Sequence, residues 1–126
     1  VAATLGAMLF FAVGVAPTIF QALPLEQAGL FLRKLFPRYY LALIMGSGVA
    51  GCLWIESAPL AAAVCWLIAL STLWIRQSLV PHINQLRDAE LAGDAAAGTR
   101  FATLHRMSVI INMVQLLALV VLLLKY

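Results

Sequence analysis

Residues 107–124, MSVIINMVQLLALVVLLL, form an apolar run without a single charged side chain. A helix of about 20 apolar residues crosses the roughly 30 Å hydrocarbon core of a bilayer, so this run predicts a membrane-spanning helix. Three further charge-free runs lie at residues 1–25, 39–55 and 57–75. The sequence therefore predicts four membrane spans, at about 1–23, 38–55, 59–80 with an extension to about 91, and 100–124.

The composition leads to the same fold class. Of the 126 residues, 64% are hydrophobic and 10% are charged, and the mean hydropathy is +1.02. A soluble domain is about 45–50% apolar and about 25% charged, so a soluble globular protein, a disordered tail and a nucleic-acid-binding module are excluded. We predict one all-α transmembrane domain over residues 1–126, an integral membrane four-helix bundle in up-down-up-down order.

The charges and aromatic residues predict how the bundle is oriented. Seven of the eight Lys and Arg residues lie in or beside the first and third connections, and Lys125 is the exception. Two such connections share one side of the membrane, which the positive-inside rule makes cytoplasmic, with both termini on the other side. Tyr39 and Tyr40 at the cytoplasmic end of the second span, and Trp54 at its outer end, fit aromatic belts. The charge asymmetry and compactness favour a bacterial inner (plasma) membrane.

Three local features concern where helices begin, end or bend. Residues 25–36, LEQAGLFLRKLF, are amphipathic, and they fit either a separate helix in the headgroup plane or the start of the second span. Pro37 is expected to break or kink the chain there, and Pro17 is expected to kink the first span. Thr99 is the predicted N-cap of the fourth span.

Polar side chains recur along the fourth span at intervals of three, four and three, at His105, Ser108, Asn112 and Gln115. These offsets place all four on one helix face. Lipid disfavours such a stripe, so we expect it to face the bundle interior or water. One interpretation is interhelical hydrogen bonding, worth about 0.6 kcal/mol per contact. The other is a polar cavity that opens to the cytoplasm.

A second polar cluster lies at the end of the third span. Its members are Arg76, His82, Asn84, Arg87 and Asp88. With Arg38, His105 and Arg106 they are expected to form a charged mouth at the cytoplasmic end. Asp88 would pair there with Arg38 or Arg106 and hold the helix ends, or the mouth would bind a small anion or a lipid headgroup. Candidate ligand contacts across both clusters are Arg38, Asn84, Arg87, Asp88, His105, Ser108, Asn112 and Gln115.

Cofactor and catalytic chemistry have weaker support. Imidazole ligates haem iron or copper, which makes His82 and His105 candidates for binding either cofactor. The sequence has no Cys-x-x-Cys-His, no His-x-x-x-His and no acidic partner at ligand spacing, so no other metal site is predicted. It also has no nucleophile–base pair, phosphate loop or paired catalytic carboxylates, so an enzyme is not supported.

Four stretches carry a family resemblance: FFAVGVAPTIFQAL (10–23), LFPRYY (35–40), RQSLVPHINQLRDA (76–89) and RFATLHRMSVIINMVQL (100–116). Together they resemble the transmembrane-protein-205-like family, also called domain of unknown function 4149. The resemblance implies a four-helix integral membrane protein with no established activity. At the level of fold, the chain is also distantly similar to four-helix modules of the copper-resistance membrane-protein type, some of which bind haem. Family polar positions are matched by Arg38, Tyr39, Asn84, Arg87, Asp88, His105, Ser108 and Asn112.

Three functional hypotheses follow. The first is a small accessory or structural subunit that packs against a larger membrane complex, with the lipid bilayer and other integral membrane subunits as partners and no nucleic acid. The second is a small-solute or lipid-binding or transport protein that uses the cytoplasmic polar mouth. The third is a haem- or copper-binding membrane module that uses His82 and His105.

Overall fold

The computed structural model describes residues 1–126 and is all-helical. Four helices follow one another along the chain: α1 (Ala2–Ala22), α2 (Leu25–Trp54), α3 (Pro59–Leu91) and α4 (Ala95–Lys125). The connections between them are two, four and three residues long, at 23–24, 55–58 and 92–94. Connections this short bring consecutive helices side by side.

Most of the protein surface is apolar. Only 28 of the 126 residues are buried, and every helix exposes large apolar side chains such as Val13, Leu53, Leu67 and Leu124. By length and composition α1, α3 and α4 are able to cross a membrane. The 30-residue helix α2 is also long enough, but its charged first half and its Gly–Ser segment leave it outside this group. The protein is therefore a helical membrane protein with three clear spans and a fourth long helix.

Helix α2 passes through Pro37 without a break, so of the two expected outcomes, a break or a kink, the break is wrong. Residues 25–36 are accordingly not a separate interfacial helix but the first part of α2. Their apolar face packs on α1, where Ala28 and Leu32 are buried with Ile19. A proline inside a helix removes one backbone hydrogen bond and crowds the preceding turn. Here packing against two neighbouring helices offsets that cost.

Helices α1 and α3 accommodate their prolines in a different way, because each contains a wider, π-helical turn before the proline. A π-helical segment, Phe10–Val15, ends just before Pro17, and a second, Ile75–Leu79, ends just before Pro81. In both, the N–H of the residue before the proline donates to the carbonyl five residues back. Proline has no N–H and crowds the preceding turn, so the wider turn accommodates it and the helix continues.

Both wide turns pack against α2 beside Pro37. In the first, the Phe11 ring stacks on Tyr39 with 4.4 Å between centroids and lies 5.4 Å from Phe36. In the second, Arg76 Nε donates a hydrogen bond of 3.0 Å to the Pro37 carbonyl. The two π-helical turns and Pro37 therefore meet at one level of the bundle.

The tyrosines of this level are core residues, and the expectation that they form a headgroup belt is wrong. Tyr39 is 9% exposed and Tyr40 is 5% exposed. They pack with Phe36 in an aromatic cluster, because the start of α2 is covered by α1 and not by lipid headgroups. Trp54, at the other end of α2, is half-buried against Tyr126, with 5.4 Å between ring centroids.

The start of α4 also differs from the expectation. Asp94 is the N-cap, and its Oδ1 accepts a hydrogen bond of 3.2 Å from the Ala97 N–H. Thr99 lies inside the helix, so its prediction as the N-cap is wrong. Aspartate is a strong N-cap and three alanines follow it, so the helix begins one turn earlier. Gly93 supplies the positive φ of +110° that ends the preceding helix.

Two glycines of α2 provide a matched test of this packing. A Cβ on Gly46 would overlap Thr4 Oγ1 of α1, whereas a Cβ on Gly48 would meet nothing within 4 Å. Alanine gains the same helix propensity at both positions. Gly46→Ala should therefore unfold more readily than Gly48→Ala, by about 1–3 kcal/mol, because Thr4 is buried and must shift. Unfolding of the two variants in the same detergent measures this difference, and equal stabilities would contradict the α1–α2 packing.

Candidate functional site

Most charged side chains gather at one end of the bundle, called here the basic end, where α2 and α4 begin and α3 ends. Arg33 of α2 binds Asp88 of α3 through two hydrogen bonds of 2.9 and 3.3 Å, and it also donates to the Asn84 carbonyl at 3.4 Å. Asp88 thus holds α2 and α3 together through Arg33. The expected partners Arg38 and Arg106 are not used.

The choice of Arg33 follows from the continuity of α2. At about 100° per residue, Arg38 lies about 140° around the helix from Arg33, so both cannot face α3. Arg38 is exposed on the surface of α2. Arg106 is exposed on α4, and neither of the two expected arginines pairs with Asp88.

A second group at the basic end connects α3 to α4 through aromatic contacts. Arg87 pairs with Glu90 at 3.2 Å on its own helix and lies over the Phe101 ring at 5.5 Å. The imidazole of His105 stacks on the same ring, with 5.8 Å between centroids and nearly parallel planes. His105 and Arg106 are exposed. The residues expected in one charged mouth are therefore divided between two groups and the surface.

The predicted stripe on α4 points into the bundle only in part. Gln115 is 4% exposed, and its Nε2 donates to Ser71 Oγ at 2.9 Å and to Thr72 Oγ1 at 3.1 Å. Asn112 is half-buried, and its Oδ1 accepts a bond of 3.2 Å from the Tyr39 hydroxyl. We call these five residues the buried polar layer. They connect α4 to both α2 and α3 inside the bundle.

The other two members of the stripe take no part in this layer. Ser108 is buried, but its hydroxyl donates to the His105 carbonyl of its own helix at 2.7 Å. His105 is exposed beside Phe101. Of the four polar residues predicted to share one face of α4, two therefore form hydrogen bonds to other helices and two do not.

An open cleft of about 500 Å³ lies between α3 and α4 at the basic end. It is lined by Trp74, Ser78, Leu79, His82, Thr99, Arg100, Thr103, Leu104 and Met107. Arg100 forms no ion pair, because the two salt bridges of the protein are Arg33–Asp88 and Arg87–Glu90. The cleft thus combines an unneutralised guanidinium and hydroxyl groups with an apolar wall, and no carboxylate lines it.

The two histidines occupy different surroundings. His82 lines this cleft, whereas His105 is not among the residues that line it. No group of three or more His, Cys, Asp or Glu side chains is placed to hold a metal ion.

Several residues of these sites were absent from the sequence-based predictions. Ser71 and Thr72 are adjacent polar residues within the apolar third span. Their position predicts a hydrogen bond to another helix. In the cleft, Thr99 and Thr103 are four residues apart, as are Ser78 and His82. That spacing places each pair on one helix face, so a systematic search at helical spacing would have found them.

The Arg33–Asp88 pair can be tested with double-mutant cycles. We expect Arg33→Gln and Asp88→Asn to show a coupling of about 0.5–1 kcal/mol in stability, because both side chains are partly exposed. The same cycle with Arg38→Gln should show no coupling. A coupling to Arg38 as large as that to Arg33 would contradict the observed pairing.

Comparisons with known proteins place the chain in a family. The family model described as "Domain of unknown function (DUF4149)" matches residues 1–92, which is more than half of the chain. No curated protein and no solved structure matches the chain. The matched region contains α1, α2 and α3, so the chain belongs to the DUF4149 family.

Proposed function

We propose that all four helices span a bilayer in up-down-up-down order, with the basic end in the cytoplasm and both termini on the other side. Cross-helix contacts support this order: Thr4–Gly46, Phe11–Phe36, Arg33–Asp88, Gly51–Trp66, Tyr39–Asn112 and Trp54–Tyr126. The positive-inside rule supports the orientation, since seven of eight basic residues lie toward the basic end. A bacterial inner membrane remains our proposal for the location.

For the function, we propose that the protein binds an anionic amphiphile, such as an acidic phospholipid, in the cleft between α3 and α4. The observation that carries this proposal is the unpaired Arg100 guanidinium beside an apolar wall. Arginine binds phosphate through paired, charge-assisted hydrogen bonds. The hydroxyls of Thr99 and Ser78 supply further donors on the same cleft, whereas the Thr103 hydroxyl donates to the Thr99 carbonyl at 3.1 Å.

The apolar part of the cleft suits the start of an acyl chain. Leu79, Leu104 and Met107 line it together with the indole of Trp74. Burial of each methylene contributes about 0.8 kcal/mol, so a few carbons add as much as a phosphate contact. Trp74 is half exposed, and tryptophan is enriched at membrane interfaces, where headgroup and acyl chain meet.

The proposal predicts that one arginine controls lipid selectivity. Native mass spectrometry in a neutral detergent would compare binding of short-chain phosphatidylglycerol and phosphatidylcholine. Arg100→Gln should weaken phosphatidylglycerol binding about tenfold, equivalent to about 1.4 kcal/mol, and leave phosphatidylcholine unchanged. Arg106→Gln is the matched control, because it removes the same charge from an exposed site outside the cleft. It should change binding less than about twofold.

Two results would oppose lipid binding in the cleft. Equal losses for Arg100→Gln and Arg106→Gln would show that only the overall charge attracts the lipid. Phosphatidylglycerol binding that never saturates would show that no defined site exists.

The accessory-subunit and haem-binding hypotheses can be tested on the same purified protein. An accessory or structural subunit of a larger membrane complex would add the mass of a partner chain to the native spectrum. A haem module of the copper-resistance type would show a Soret band that is lost in His82→Ala and His105→Ala. The kinship with transmembrane-protein-205-like proteins stays a proposal, and it points to none of the three hypotheses in particular.

A further inference from the structure

The hydrogen bonds of α3 dictate how the Gln115 amide is oriented. The hydroxyls of Ser71 and Thr72 donate to the Ile68 carbonyl at 3.1 and 2.7 Å. Each hydroxyl has one proton, so each is left as an acceptor toward α4. Gln115 must therefore present Nε2 to them, as it does at 2.9 and 3.1 Å. Its Oε1 is buried without a hydrogen-bond partner.

In Asn112 it is the donor, and not the acceptor, that lacks a hydrogen-bond partner. Its Oδ1 accepts from the Tyr39 hydroxyl at 3.2 Å, which leaves Nδ2 buried with two protons and no partner. Asn112 and Gln115 are three residues apart on α4, so their side chains are neighbours on one helix face. One unmet donor and one unmet acceptor thus belong to neighbouring side chains in the bundle interior.

A water molecule meets both needs at once. It accepts from one group and donates to the other, and two unmet buried bonds cost more than immobilising one water. The residues of the buried polar layer carry no formal charge, so the layer suits a neutral molecule and not an ion. Toward the opposite end, α4 continues with buried Leu119 and Leu122, which supply no polar partners for further water.

We propose that the buried polar layer binds a structural water that accepts a hydrogen bond from Asn112 Nδ2 and donates one to Gln115 Oε1. This site is separate from the cleft at Arg100 and does not depend on lipid binding. The water completes the polar contact between α4 and the rest of the bundle, and the site is closed toward the end that carries Lys125.

X-ray radiolysis of the full chain in lipid nanodiscs tests this site, because bound water generates hydroxyl radicals that modify adjacent side chains. Tyr39 and Tyr40 are a matched pair, since both are buried and only Tyr39 belongs to the buried polar layer. We expect Tyr39 to be modified at least about threefold faster than Tyr40. Equal rates in the unaltered protein would overturn the proposal without the need for any variant.

A substitution on the far side of the water tests its position. Gln115→Met keeps the Tyr39–Asn112 bond but removes the acceptor, so Tyr39 modification should fall to the rate of Tyr40. Leu116→Met is the control for the added thioether, and it should leave the ratio unchanged. A Tyr39 rate that Gln115→Met leaves as high as before would contradict the assigned site. Unfolding would be recognised because it raises both tyrosine rates together.

Discussion

Inside a bilayer every backbone polar group needs a hydrogen-bond partner within the protein. Three prolines in this bundle make that harder, because each removes one backbone hydrogen bond from its helix. Pro17 and Pro81 each follow a π-helical turn that allows α1 and α3 to continue. Pro37 stays within a regular helix, and its own carbonyl receives the side chain of Arg76. Both π turns contact α2 beside Pro37. The packing of the bundle is organised around this one level.

Helix α2 contacts all three of the other helices. It packs on α1 and α3 and bonds to α4 through Tyr39. Large apolar side chains such as Met45 and Leu53 are exposed on it, so these contacts hold one face of α2 and leave the other face open. The same arrangement brings Tyr39 to Asn112 and Arg33 to Asp88. The buried polar layer and the basic end thus both depend on how α2 packs against its neighbours.

Helix location was largely predictable from the sequence, because a charged residue is costly in lipid and the charge-free runs are long. What remained ambiguous was residues 25–36, whose amphipathic pattern fits a surface helix and a buried helix face equally well. The partner of Asp88 was not predictable, since it depends on the rotation of α2 beyond Pro37. The cleft at Arg100 was missed because its residues come from two helices whose relative height no local pattern encodes.

The central claim is that α2 crosses the membrane although it is not among the three helices whose length and composition mark them as able to span. Single cysteines at Gln27, Ser57 and Ala92, in a Cys52→Ala background, can be labelled in sealed vesicles with a maleimide that cannot cross the bilayer. If all four helices span, residues 27 and 92 will be labelled from the same face and residue 57 from the opposite face. If α2 lies on the surface, residues 27 and 57 will share a face and residue 92 will be on the other, which would contradict the four-span bundle.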